Sequence, residues 1–173
     1  MKAIVIGAGL GGLTAGIALQ QAGYEVETYD RVATFRPVGA GISLWSNGVK
    51  ILNRLGLRAE IAAIGGDMNA MEYRGKTGEL LNQIDLMPSI DRVGQRPYPV
   101  ARRDLQTMLL HAFPGQVYLD HNCIDFEESE TGITAIFENG YRTSGDSSPR
   151  RCVGVEQLPD RLNDFGWPVA VKK

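Results

Sequence analysis

The chain has 173 residues, 43% of them hydrophobic and 22% charged, with 18 Lys and Arg against 20 Asp and Glu. That length suits about one domain with an appendage, and the near-average composition excludes a wholly disordered chain, a collagen-like repeat and a coiled coil. A net charge of −2 gives no electrostatic basis for nucleic acid or an anionic membrane as partner.

Glycine is the outlier: the 21 glycines make up roughly 12% of the chain, against a usual level of about 7%. Five of them, Gly7, Gly9, Gly11, Gly12 and Gly16, fall in the uncharged run from Ala3 to Leu19. So many glycines do not suit an uninterrupted helix, so the run reads neither as a signal sequence nor as a membrane span.

In chain order, Lys2 to Gly7 is a short apolar run that predicts a buried parallel strand. Leu10 to Ala22 predicts a helix with Leu13, Ile17 and Ala18 on its inner face and Gly23 as its stop. Tyr24 to Asp30 predicts a second strand, which completes a βαβ unit with a right-handed crossover. After the loop Thr34 to Gly41, a helix is expected over Asn47 to Leu55 with Ser46 as N-cap and Gly56 as stop. A short helix over Ala59 to Ile64 comes next. Met68 to Arg74 and Glu79 to Leu86 flank Gly75-Lys-Thr-Gly78 and predict a β-hairpin. An extended Pro97 to Ala101 leads into an amphipathic helix, Arg102 to Phe113, with Leu105, Met108, Leu109 and Ala112 inward. Val117 to Leu119, Cys123 to Glu128, Ile133 to Phe137 and Tyr141 to Ser144 predict a β-meander, with Glu130-Thr-Gly132 and Glu138-Asn-Gly140 at its turns.

The pattern changes after Asp146. Residues 147–173 hold three of the eight prolines and five Lys and Arg against three Asp and Glu. No helical or strand period is sustained there. The expected organisation is therefore an α/β dinucleotide-binding domain over residues 1–146 and a divergent, poorly ordered tail over 147–173.

The chemistry concentrates in Gly7-Ala-Gly9-Leu-Gly11-Gly12, a G-x-G-x-x-G placed between a strand and a helix. Gly7 allows a tight turn, Gly9 a close approach by a pyrophosphate, and Gly12 close packing of helix on strand. The phosphates would lie at the helix N-terminus, where free N–H groups and the macrodipole favour negative charge. Asp30, 18 residues past Gly12, ends the second strand at about the spacing at which a carboxylate accepts from ribose hydroxyls. It would repel a 2′-phosphate. Dinucleotide binding follows, and the loop, helix and hairpin after the second strand suit FAD better than a plain NAD domain. Cys123, Cys152, His111 and His121 fit no metal or redox spacing. The cysteine usage makes a reducing cytoplasm the expected compartment.

The chain resembles the FAD-dependent aromatic-ring monooxygenases with the p-hydroxybenzoate hydroxylase fold, particularly the FAD-dependent urate hydroxylases and salicylate-hydroxylase-like enzymes. The residues that carry the resemblance are Lys2 to Leu13, Pro37-Val-Gly-Ala-Gly-Ile-Ser43, Trp45-Ser-Asn-Gly48 and Pro99-Val-Ala-Arg-Arg-Asp-Leu-Gln106, within residues 1 to about 146. It implies that Gly7, Gly9, Gly11 and Gly12 cradle the FAD pyrophosphate, with Asp30 on the adenosine ribose and Arg31 beside it. It also implies that Ser43 approaches the cofactor, that Arg102 reaches the pyrophosphate and that the Cys123 backbone contacts adenine. Asn47 lies where the family places residues near substrate, or is simply a polar helix-start residue.

The implied reaction is hydroxylation of a small aromatic or purine-like substrate with NAD(P)H and dioxygen, the redox chemistry being the flavin's. In the family, Gly145-Asp146 opens a further motif, but here Ser-Ser-Pro-Arg-Arg follows instead of an apolar strand, and Pro149 does not suit a central strand. The family's later motifs are absent, so no catalytic residue is assigned. The expectation is a truncated chain, inactive alone and prone to aggregate. The alternative is a non-catalytic FAD- or NAD-binding module, or one half of a split enzyme completed by another chain.

Overall fold

In the computed structural model, residues 1–36, 39–130 and 132–146 are described, together with the backbone of Val153 and Gly154. The first glycine turn is flanked as the sequence predicts, by strand β1 (Lys2–Ile6), helix α1 (Leu10–Gln21) and strand β2 (Glu25–Tyr29). Next come β3 (Gly41–Leu44), α2 (Ser46–Arg54), α3 (Arg58–Ile64), β4 (Ala70–Arg74), β5 (Leu80–Asp85) and α4 (Met87–Val93). The order ends with β6 (Tyr98–Ala101), α5 (Arg102–Ala112), β7 (Gln116–Tyr118), β8 (Cys123–Glu128), β9 (Gly132–Phe137), β10 (Arg142–Asp146) and β11 (Val153–Gly154). The expected roles of Pro37, Val38 and Thr131, and the expected disorder of most of the tail, lie outside the described residues. Two compact units are present: the described residues of Met1–Pro37 with Leu109–Lys173, and those of Val38–Met108.

The first unit is built on a parallel sheet of order β11-β1-β2-β7. Strand alternation turns Ala3, Val5, Val26 and Thr28 to one face, and α1 covers it with Leu13 and Ile17, both buried. Ala18, expected on that face, is exposed. Gly16 takes the inner position instead, because Phe113 packs so close that a Cβ there would lie 2.8 Å from its ring. The opposite face carries Ile4 and Tyr29, which pack with Ala135 and Phe137 of the antiparallel sheet β10-β9-β8.

The strand pairing differs from the sequence expectation in two places. The 117–119 segment does not join the meander: β7 pairs in parallel with β2, Tyr29 opposite Tyr118, and their rings stack 4.8 Å apart. After Gly145 a strand does occur, a two-residue one, with Val153 opposite Val5 and Gly154 opposite Ile6. Backbone pairing needs no apolar side-chain period, so the sequence pattern carried no sign of it.

The Ile4 face also carries a half-buried ion pair. Glu27 is bonded by Lys2 Nζ at 2.8 Å, by the Tyr29 hydroxyl at 2.7 Å and by the Thr143 hydroxyl at 3.1 Å. Burial alone would raise the Glu27 pKa, but the bonds from Lys2, Tyr29 and Thr143 outweigh it and hold the carboxyl below its usual range. Burial together with Glu27 pushes the Tyr29 phenol well above its own range. A carboxyl with a lowered pKa stabilises the fold fully above its unfolded value, and that stabilisation is lost as pH falls through the folded value. Glu27→Gln is therefore expected to cost about 1–2 kcal/mol at pH 7. Urea denaturation should show the gap from the parent narrowing in acid, where the parent's own carboxyl takes up a proton.

In the second unit β3 and β6 form an antiparallel pair, and β4 and β5 form the expected hairpin. Helix α4 was not anticipated. It has Pro88 in its first turn and ends at Gly94 with φ 68°, and the Asp85 carboxylate accepts the Met87 N–H at 2.9 Å. Ser46 does not cap α2, since Trp45 holds the N-cap position and the Ser46 hydroxyl donates to the Gln95 carbonyl at 2.8 Å. Among the described residues no helix is long and apolar enough to cross a membrane.

Candidate functional site

The glycine turn is held by its backbone. Gly7 has φ 100°, a conformation that disfavours any side chain, and its N–H donates to the Tyr29 carbonyl at 2.6 Å. This ties the end of β1 to the end of β2, where Asp30 begins. Gly12 is buried because a Cβ there would stand 1.8 Å from the Gly7 carbonyl oxygen and 3.4 Å from Val5 Cγ1. Its role is the close packing of helix on strand that the sequence predicts. Gly11 is exposed on the first turn of α1.

Helix α1 begins at Leu10 with Gly9 as N-cap, and neither a side-chain cap nor an acidic residue in the first turn occupies its positive end. A Cβ on Gly9 would meet nothing within 4 Å, so the space before the helix is open. Open space, donor N–H groups and the macrodipole together fit a pyrophosphate.

Asp30 is half-buried beside this turn. Its Oδ2 accepts the Ala8 N–H at 2.7 Å and its Oδ1 accepts the Val32 N–H at 3.0 Å. The Asp30 N–H donates to the Tyr118 carbonyl and its own carbonyl accepts from the His121 N–H, both at 2.9 Å. The carboxylate is therefore fixed by the loop it serves. Each of its oxygens has two lone pairs, so acceptor capacity is left for two ribose hydroxyls. Sequence spacing places Asp30 at the strand end but does not reveal that it also holds the glycine turn.

Two further first-unit residues are Arg31 and Cys123. Arg31 is exposed next to Asp30. Cys123 opens β8; burial pushes its thiol above the ordinary range, and its Sγ lies 3.5 Å from the Asp125 carbonyl. A raised thiol of this kind suits a packing group.

In the second unit, Ser43 and Arg102 are brought to one element. Ser43 stands opposite Pro99 and Gly41 opposite Ala101 in the β3–β6 pair, and the Arg102 N–H donates to the Ala40 carbonyl at 2.9 Å. This places Arg102 at the end of β6, at the first residue of α5. Its guanidinium makes no hydrogen bond or ion pair among the described residues, whereas the neighbouring Arg103 is paired with Asp104 at 3.1 Å. Asn47 is exposed in the first turn of α2. No group of three or more His, Cys, Asp and Glu is placed to hold a metal ion among the described residues.

Residues 1–152 match the family model described as FAD binding domain. The chain is 51% identical over 150 residues to an FAD-dependent urate hydroxylase of Mycolicibacterium vanbaalenii, covering 84% of this chain and 38% of that one. It is 35% identical over 139 residues to 3-amino-4-hydroxybenzoate 2-monooxygenase PtmB3 of Streptomyces platensis, covering 79% and 35%. Klebsiella pneumoniae HpxO, solved with FAD and uric acid, superposes with a TM-score of 0.77 at 41% identity, covering 84% of this chain and 37% of HpxO. The chain thus spans a little over a third of the length of these relatives.

Proposed function

The chain belongs to the FAD binding domain family, and from that premise we propose that it forms the FAD-binding part of a flavin-dependent hydroxylase acting on urate or a similar small purine or aromatic ring. The observation that carries this reading is the joined pair in the first unit. An α1 N-terminus open at Gly9 suits a pyrophosphate, and Asp30, already fixed by the Ala8 and Val32 amides, suits the ribose. Urate as substrate rests on the FAD-dependent urate hydroxylases among the relatives and on HpxO, solved with uric acid.

Bound FAD would supply the redox chemistry, with NAD(P)H as reductant and dioxygen as oxidant. The chain's own part is to bind and orient it. Gly7 shapes the turn, Gly12 seats α1 on β1, and the first N–H groups of α1 with Gly9 and Gly11 receive the phosphates. Asp30 accepts from the ribose, with Arg31 beside it, and the Cys123 backbone meets the adenine. Within the second unit, Arg102 is the residue suited to phosphate, because a guanidinium fork matches two phosphate oxygens, and Ser43 lies on the strand paired with β6.

The test is an assay for NAD(P)H oxidation that requires both FAD and urate, with 3-amino-4-hydroxybenzoate as the competing substrate. A protein that carries this chain at the full length of the relatives is expected to consume NAD(P)H with urate and to lose that activity when FAD is stripped, whereas the 173-residue chain alone is expected to bind FAD without turnover. Consumption with the aminohydroxybenzoate alone would move the substrate to the aromatic acids. No flavin-dependent consumption with either would leave a dinucleotide-binding module without this chemistry.

A further inference from the structure

The segment between β7 and β8, Leu119 to Asn122, holds Asp30 from outside the glycine turn. Tyr118 and His121 grip the two sides of the Asp30 peptide, and the Asp120 N–H donates to the Val32 carbonyl at 3.0 Å. Asp120 has φ 59°, unlike every other non-glycine residue among those described, and such a backbone persists only where its surroundings enforce it.

Two groups enforce it. The Asn139 amide of the β9–β10 turn donates to the Asp120 carbonyl at 3.0 Å. The His121 Nδ1 lies 2.6 Å from the Leu119 carbonyl, and because a carbonyl only accepts, Nδ1 carries the proton. The ring is then wedged edge-on between Phe137 at 5.3 Å and Tyr141 at 5.2 Å, with Tyr29 at 5.4 Å beyond. This favourable aromatic geometry fixes the ring, the ring fixes the loop, and the loop fixes Asp30.

We propose that His121 is a positioning residue for the cofactor ribose: it holds the Leu119–Asn122 loop, and through it Asp30, in the geometry that receives the two hydroxyls. The proposal rests on the FAD reading above. Presetting an acceptor in this way spares the ordering that binding would otherwise require.

His121→Phe keeps a ring among the aromatics and removes only the bond to Leu119. With the fold retained, FAD binding is expected to weaken about tenfold, the equivalent of one hydrogen bond. In an Asp30→Ala background the same substitution should change nothing further. In the ligand-free protein, hydrogen exchange at the Ala8 and Val32 amides, which bond the Asp30 carboxylate, should quicken. Asn139→Ala, at an exposed turn, should act in the same direction and serves if His121→Phe does not fold. Unchanged exchange at both amides in the two variants overturns the proposal, as does a loss of FAD affinity that is the same with and without Asp30. If the parent chain binds no FAD, the exchange measurement still decides the role of His121, while the FAD reading falls separately.

Discussion

Gly12→Ala is expected to abolish FAD binding and to destabilise the ligand-free chain by about 3 kcal/mol or more. The added methyl would lie 1.8 Å from the Gly7 carbonyl oxygen and 3.0 Å from the Gly7 carbonyl carbon. Both are backbone atoms, so no side chain can swing aside. Relief requires α1 to lift from β1, which exposes Leu13 and Ile17, 0% and 3% exposed, and carries the helix N-terminus away from the turn. Gly9→Ala is the control. Its Cβ meets nothing within 4 Å, so stability should change by less than about 0.5 kcal/mol. The methyl would occupy the space assigned to the pyrophosphate, however, and FAD affinity should fall all the same. Urea denaturation and FAD titration of the two variants separate packing from binding.

Asp30→Ala is expected to weaken FAD binding by about 30- to 100-fold, the value of two charge-assisted hydrogen bonds to the ribose partly offset by water. It should also lower the stability of the ligand-free chain by about 1–3 kcal/mol. The Ala8 and Val32 amides would lose their acceptor, and Ala8 is fully buried. Asp30→Asn keeps one carbonyl oxygen, so it restores at most one of those bonds and should fall between. A variant with full stability and full FAD affinity would show that Asp30 serves neither the turn nor the ribose.

The part of the fold nearest the cofactor was legible because its signals are local. A glycine turn, an apolar strand before it and a helix after it are readable within Lys2 to Asp30. The helix stop at Gly56, φ 85°, and the hairpin around Gly75 to Gly78 were readable for the same reason. What was not legible depends on distant partners. The place of β7 beside β2 is set by residues far apart in sequence, and nothing in Gln116 to Tyr118 distinguishes that pairing from a meander. Ser46 has the composition of an N-cap, yet the Gln95 carbonyl takes its hydroxyl. Ala18 lies on the expected stripe of α1, but the ring of Phe113 selects Gly16 for the inner position. At the site, spacing located Asp30 and said nothing of the amides and loop that hold it. His121 carried no sequence signal at all, because its role comes from aromatic rings on β2, on β9 and at the turn before β10.

Titration of the ligand-free chain with FAD, followed by calorimetry or flavin fluorescence, tests most directly whether the first unit is a preformed FAD site. The expected result is saturable one-to-one binding that Gly12→Ala and Asp30→Ala reduce, with NAD⁺ binding more weakly than FAD. Tighter binding of NAD⁺ than of FAD, or FAD binding indifferent to both substitutions, would contradict it.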